Sequence, residues 1–326
     1  MFEMTSMEAF ILALGALGFG IVLLIRGGNW TIDSSVFIAR KLGISPLLVG
    51  FTIVAFGTSL PELIVSVNAS FHHLPGIAVG NVIGSNIANI LLVIGATASF
   101  VTLHVVRRDI LRDLTAMIIV TLVLTALMLY GEISRTTGFI MLGALILYTS
   151  WQYLMASKGA IKFEEPDNPE FPNMLASIGY LFLGLLFIAL GAEILVRGAK
   201  VSAIVIGVPE DVIGLSVIAF GTSLPELSTC LIAAKRKQFD LVIGNIIGSN
   251  VFNILMIIGA TAITKDIIMM DMAKQLVTLD IWVVLGVSVL FTALLLSYQK
   301  VTRPIGVIFT MGYIAYIGTI YALYFI

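Results

Sequence analysis

Charge is what this sequence has least of. Charged residues are 11% of its 326, against about 25% in an ordinary soluble domain. So few solvated side chains cannot cover a soluble particle. The formal net charge of −1 leaves no basic surface for nucleic acid. The single cysteine, Cys230, lies in an apolar run; a disulfide framework is excluded and a packed thiol is expected. The three histidines all fall outside the repeated polar motifs, which argues against a His-ligated zinc or copper centre there. Proline is scarce as well, yet Pro61 and Pro225 stand in the middle of apolar runs where an unbroken helix would not tolerate them.

What remains is apolar: 59% of residues are hydrophobic, and the mean hydropathy is +1.08. Stretches of about 18 apolar residues or more are candidate membrane spans. Ten are expected, centred near Gly18, Ala55, Ile90, Leu122, Leu145, Phe187, Phe220, Ile254, Leu285 and Tyr313. The first, from about Glu8 to Ile25, follows acids rather than a basic leader and reads as a retained span rather than a signal peptide. Ser157 to Pro172 is short, charged and proline-containing, a solvated linker. The expected architecture is an all-α polytopic membrane protein with a first five-helix repeat over 1–156, a cytoplasmic linker over 157–173 and a second five-helix repeat over 174–326.

The division rests on words spelled twice. Ala55-Phe-Gly-Thr-Ser-Leu-Pro-Glu62-Leu63 recurs as Ala219-Phe-Gly-Thr-Ser-Leu-Pro-Glu226-Leu227, and Gly80-Asn-Val-Ile-Gly-Ser-Asn-Ile-Ala-Asn89 returns as Gly244-Asn-Ile-Ile-Gly-Ser-Asn-Val-Phe-Asn253. Both pairs keep one offset (226 − 62 and 253 − 89 each give 164), as a duplicated gene would. Five spans per half is odd, so the second half must enter the membrane from the opposite side. Lysine and arginine test this, because they accumulate in cytoplasmic loops. With the N-terminus outside, the 18 Lys and Arg divide 13 inside to 5 outside. His72-His73 follows the first motif in a loop without Lys or Arg, whereas Lys235-Arg236-Lys237 occupies the equivalent loop of the second half. The histidines read as solvated loop residues and the basic triplet as a headgroup anchor.

Glu62 and Glu226 lie deep in apolar runs, where charge is expensive and usually functional. Each follows a helix-breaking proline. Paired interruptions at corresponding places in two halves point to a transporter's binding site. Thr58 shares a helical face with Glu62, Ser85 with Asn89, Thr222 with Glu226 and Ser249 with Asn253. Each half therefore offers carboxylate, amide, hydroxyl and freed carbonyl oxygens, hard donors suited to Ca2+ and Na+. Asn81, Asn86, Asn245 and Asn250 are expected to satisfy the broken backbone. Gly80, Gly84, Gly244 and Gly248 are expected to permit close helix approach.

These motifs resemble the cation/calcium antiporter superfamily, and within it the prokaryotic sodium/calcium exchangers most. The resemblance covers the whole chain and implies an N-out, ten-helix fold of two inverted repeats. Its second, third, seventh and eighth helices would surround the ions, and its first and sixth would slide across that core. It further implies that Glu62 and Glu226 are paired calcium carboxylates and that Thr58 and Thr222 give backbone carbonyls to the same ion. Ala55, Ser59 and Ser85 would line one sodium site and Ala219, Ser223 and Ser249 the other, with Asn89 and Asn253 completing the centre. Relatives often carry aspartate where this chain has Asn253, which leaves counter-ion and stoichiometry open. The expected activity is Ca2+/Na+ antiport by alternating access in the cell membrane, with Ca2+/H+ or K+-dependent exchange as the alternative and a passive cation channel further behind. Expected partners are inorganic cations and the lipid bilayer, with no nucleic acid, obligate protein partner or cofactor. An enzyme is not expected, because no nucleophile–base pair is visible.

Overall fold

The computed structural model describes residues 6–158, 171–205 and 219–324. They are almost entirely helical. In chain order the helices are α1 (Ser6–Leu42), α2 (Pro46–Thr58), α3 (Leu60–Phe71), α4 (Pro75–Phe100), α5 (Arg107–Tyr130) and α6 (Arg135–Lys158). They continue with α7 (Met174–Val205), α8 (Ala219–Thr222), α9 (Leu224–Lys235), α10 (Phe239–Thr264), α11 (Leu276–Tyr298) and α12 (Arg303–Tyr324). Eight of the described helices are long and apolar enough to cross a membrane, and the bent pair α2–α3 makes nine. The expected span around Phe220 falls partly outside the described residues, as does most of the expected linker.

The first helix runs well past the expected Ile25, to Leu42, carrying Asn29, Asp33 and Arg40 with it. It stays helical because α7 lies against it, antiparallel. A Cβ added to Gly20 would sit 2.8 Å from Gly191 O, and one added to Gly27 would sit 2.6 Å from Gly184 O. At the offset of 164, Gly20 corresponds to Gly184 and Gly27 to Gly191, so the crossing is reciprocal. Only glycine lets two backbones meet this closely.

The centre of the bundle is α10, buried without interruption from Leu241 to Gly259, with α4 mostly buried beside it; α6 and α12 are largely exposed and lie at the periphery. Gly244 and Gly248 press α10 onto α2, where added Cβ atoms would meet Leu47 O and Phe51 O at 2.2 Å. Gly80, their first-half counterpart, has looser surroundings: its added Cβ would be 3.6 Å from Leu276. The expected close packing is therefore seen on one side of the duplication only among the described residues.

Two short antiparallel ladders tie the halves together. β1 (Leu103–His104), after α4, pairs with β4 (Lys300–Val301), before α12. β3 (Ile267–Ile268), after α10, pairs with β2 (Glu132–Ile133), before α6. Each half thus lends the other the same kind of strand. The turns after α3 and α9 match as well, with His73 and Lys237 both at φ 61°.

Candidate ion-binding site

The helix break falls at Ser59 and Ser223, two residues before each proline. Ser59 has φ −86° and ψ 3°, Ser223 φ −86° and ψ 0°. Ser59 N still closes on Ala55 O at 3.0 Å, and Leu63 N opens the next helix on Ser59 O at 3.1 Å. The axis bends by 45° between α2 and α3. Pro61 and Pro225 then occupy the opening turn of a helix, where a missing N–H breaks no bond. Glu62 and Glu226 follow in that first turn, at the positive end of the helix dipole.

Both carboxylates are 1% exposed. Ser59 Oγ and Ser249 Oγ, from opposite halves, donate to Glu226 Oε1 at 3.5 and 3.4 Å. Asn81 Nδ2 donates to Glu62 O at 3.2 Å and to Ser66 Oγ at 2.9 Å. Its counterpart Asn245 donates to Cys230 Sγ at 3.5 Å and accepts from Thr58 Oγ1 at 3.3 Å. Cys230 is the second-half equivalent of Ser66, so the buried thiol completes a repeated contact.

Between the two breaks, amides cross from half to half. Asn253 Nδ2 donates to Asn86 Oδ1 at 2.9 Å, and Asn89 Nδ2 donates to Asn250 Oδ1 at 3.0 Å. Asn86 Nδ2 also donates to Asn250 O at 3.2 Å. Asn81 and Asn86 satisfy backbone carbonyls, as expected, Asn86 doing so across the halves; Asn245 and Asn250 instead make side-chain contacts. Asn89 and Asn253 each open a π-helical turn, Asn89–Ile94 and Asn253–Ile258, the wide turn that recurs at functional sites.

These bonds engage the side-chain amide nitrogens of Asn81, Asn86, Asn89, Asn245 and Asn253 while leaving oxygens free. Glu62 Oε2, Glu226 Oε2, Asn89 Oδ1, Asn253 Oδ1 and Ser223 Oγ are buried without a hydrogen-bond partner. A buried polar atom left unpaired costs about 1–3 kcal/mol, and more for a charged group. These five are among thirteen buried side-chain oxygens without a partner in the described residues, and they include both expected carboxylates. Among the described residues no cluster of three or more His, Cys, Asp or Glu is present, so a cation here would draw on amide and hydroxyl oxygens besides the carboxylates.

Ser85 and Thr222 line a cavity of about 290 Å3 that also touches Asn81. Ala55 is buried at the start of the last turn of α2. Ala219 begins α8, and its side chain lies outside the described residues. Sequence reasoning missed Asp113 and Asp280, two further carboxylates buried in apolar helices. Each accepts from a tyrosine on the next long helix, Tyr148 at 3.0 Å and Tyr316 at 3.1 Å. Their signal was in the sequence: one acid within a span in each half.

Known proteins agree with this architecture. The profile of the family described as sodium/calcium exchanger protein matches residues 12–154 and 176–322, one stretch in each half. An uncharacterised membrane protein of Methanocaldococcus jannaschii is 34% identical over 310 residues, covering 95% of this chain and 98% of that one. The sodium/calcium exchanger MaX1 of Methanosarcina acetivorans is 28% identical over 340 residues, covering 93% and 96%. The solved structure of a sodium/calcium exchanger from Methanococcus jannaschii superposes with a TM-score of 0.79 at 33% identity, covering 95% of this chain and 98% of that one.

Proposed function

Since this chain belongs to the sodium/calcium exchanger protein family, we propose that it is a secondary antiporter exchanging Ca2+ for Na+ by alternating access. Its ions bind in mid-membrane between Glu62 and Glu226. The chain is two inverted five-helix repeats, 1–156 and 174–326, joined through 157–173, with the N-terminus outside and the linker in the cytoplasm of the cell membrane. The 13-to-5 division of Lys and Arg supports that orientation, and the antiparallel crossing of α1 with α7 supports the inversion.

One observation carries the reading: unpartnered buried oxygens on Glu62, Glu226, Asn89, Asn253 and Ser223, drawn from both halves and flanking one crossed amide lattice. A Ca2+ ion takes about 6–8 oxygens. The two carboxylates, with the Asn89 and Asn253 amide oxygens and the backbone carbonyls of Thr58 and Thr222, supply that number. Ala55, Ser59 and Ser85 line one flanking Na+ site and Ala219, Ser223 and Ser249 the other, and Ser59 and Ser249 also bridge the halves at Glu226.

Charge explains why the two ions exchange rather than leak. The glutamates feel each other's charge, and two buried carboxylates without a counter-charge are unfavourable by several kcal/mol each. Ca2+ neutralises the pair; in its absence Na+ must. The doubly charged, unoccupied site is the least stable state, so the chain changes its facing with ions bound. α1 and α7 are locked to each other through glycine along their crossing, so the pair can move across the core as one unit.

The test is 45Ca2+ uptake by proteoliposomes. Uptake is expected when an outward Na+ gradient is imposed and not when the gradient is absent. Uptake driven equally well by a proton gradient in Na+-free buffer would overturn the assignment in favour of Ca2+/H+ exchange.

A further inference from the structure

Asp280 lies early in α11, at the last residue of the π-helical turn Leu276–Asp280, and is 4% exposed. A carboxylate inside a membrane span, unpaired with a cation, is unfavourable enough that it usually serves a path for ions or protons. Its Oδ1 accepts from Tyr316 Oη at 3.1 Å and, at the long distance of 3.5 Å, from Gln275 Nε2. No donor reaches Oδ2 among the described residues.

The first-half carboxylate provides the contrast. Asp113 Oδ1 is held by Tyr148 at 3.0 Å and by Gln152 at 2.5 Å, two strong bonds from neighbouring turns of α6. Asp113 is a lock between two helices. Asp280 keeps the tyrosine of that arrangement but has only the weak amide contact.

Asp280 also lines the cavity of about 290 Å3 that contains Ser85, Thr222 and Asn81. Gln275, just before α11, and Tyr321, in the last turn of α12, line the same cavity, so it extends from the ends of these spans inward to the ion-site residues. Its described walls bring together one carboxylate, three phenols (Tyr313, Tyr316 and Tyr321) and hydroxyl and amide side chains. These are hard oxygen donors, and among the described lining residues no lysine or arginine competes for the carboxylate.

We propose that Asp280 is a cation-docking residue, the carboxylate that first receives Ca2+ or Na+ in this cavity and passes it to the oxygens near Ser85 and Thr222. The inference rests on reading Glu62 and Glu226 as the transport site. A carboxylate ahead of the main site raises the local cation concentration and so governs the rate of loading more than the turnover of the loaded carrier. Ion selectivity at Asp280 is loose, because the described lining offers one charge and few fixed ligands.

Tb3+ is a hard cation whose luminescence is sensitised by nearby tyrosine, and Tyr313 and Tyr316 flank Asp280. The starting protein is the full chain carrying both Glu62→Gln and Glu226→Gln, which removes the central carboxylates. This variant should retain a tyrosine-sensitised Tb3+ signal that Ca2+ displaces, and adding Asp280→Asn should abolish that component while Asp280→Glu restores it. Asparagine keeps an acceptor for Tyr316, so fold loss is not expected, and the elution volume of the detergent-solubilised chain checks it. In otherwise native protein, Asp280→Asn should raise the Ca2+ KM for uptake several-fold with kcat nearly unchanged. A signal indifferent to Asp280→Asn, or a fall in kcat at constant KM, would overturn the proposal. If the Asp280 signal persists but no Na+-driven Ca2+ uptake occurs in the native chain, the exchange assignment fails and the docking site stands.

Discussion

The two halves can be compared residue by residue at their offset of 164, and they differ most at the perimeter. At the centre they match: each has a serine break, a first-turn glutamate, a crossing pair of asparagines and a π-turn after them. At the end of α1 they part. Asp33 on α1 pairs with Arg236, just after α9, and Asn29 Oδ1 accepts from the same guanidinium at 2.7 Å. Ser228 Oγ adds a bond to Leu24 O at 3.2 Å. At the same offset the counterparts are Arg197, on α7, and His72, after α3, and no hydrogen bond or ion pair joins them among the described residues. Arg197 pairs with Glu193 on its own helix, and His72 Nδ1 sits 2.8 Å from Asn68 O, four residues back. Ile64, the counterpart of Ser228, is 66% exposed. A duplicated protein can thus keep matching central residues while fastening one face more firmly than the other. The latched face carries the Lys235-Arg236-Lys237 triplet, and the cavity with Asp280 reaches the opposite ends of the spans.

The largest expected effect tests the symmetric centre. Glu62→Gln and Glu226→Gln should each lower Na+-driven 45Ca2+ uptake by about a hundredfold or more, since an ion losing one of two buried counter-charges loses about 3 kcal/mol. If one variant kept substantial uptake, the halves would not be equivalent contributors. Next come the crossed amides. Asn86→Ala and Asn250→Ala each strand a buried amide and should destabilise the chain by about 1–3 kcal/mol, read as a lower Tm. Asn86 also donates to Asn250 O, whereas the Asn250 amide reaches only Met117 Sδ at 3.6 Å. The Asn86 variant should therefore be the less stable of the two.

A smaller effect is expected at the latch. The Asp33–Arg236 pair is partly exposed, so Arg236→Ala should shift the balance between the two facings by about 1 kcal/mol or less. Faster hydrogen exchange at the C-terminal end of α1 would report it. Arg197→Ala should leave exchange across α1 and α7 unchanged; an equal response would mean that the latch is not specific to one face. The smallest effect should come from Cys230→Ser, which makes the second half resemble the first at Ser66 and should alter Tm by about 1 °C or less.

Much of this was legible in the chain because apolar context makes polar residues conspicuous. Glu62, Glu226 and the asparagines stood out against their runs, and the prolines marked each bend to within two residues. The π-turns were not legible, since one extra residue in a turn leaves no compositional trace between Asn89 and Ile94. The length of α1 was hidden because Asn29, Asp33 and Arg40 resemble a loop until α7 is seen to pack along the helix and Arg236 to engage Asn29 and Asp33. Asp113 and Asp280 were overlooked because their partners Tyr148 and Tyr316 lie 35 and 36 residues away. The latch depends on which of two equivalent ends meets its neighbour, a property of packing in space rather than of local pattern.

The most direct measurement is calorimetric titration of the purified chain with Ca2+ in Na+-free buffer, beside the Glu62→Gln and Glu226→Gln variants. One central site fed by both halves predicts a high-affinity binding event in the native chain that disappears in either variant alone. If either variant still bound Ca2+ with native affinity, that carboxylate would be no part of a shared site.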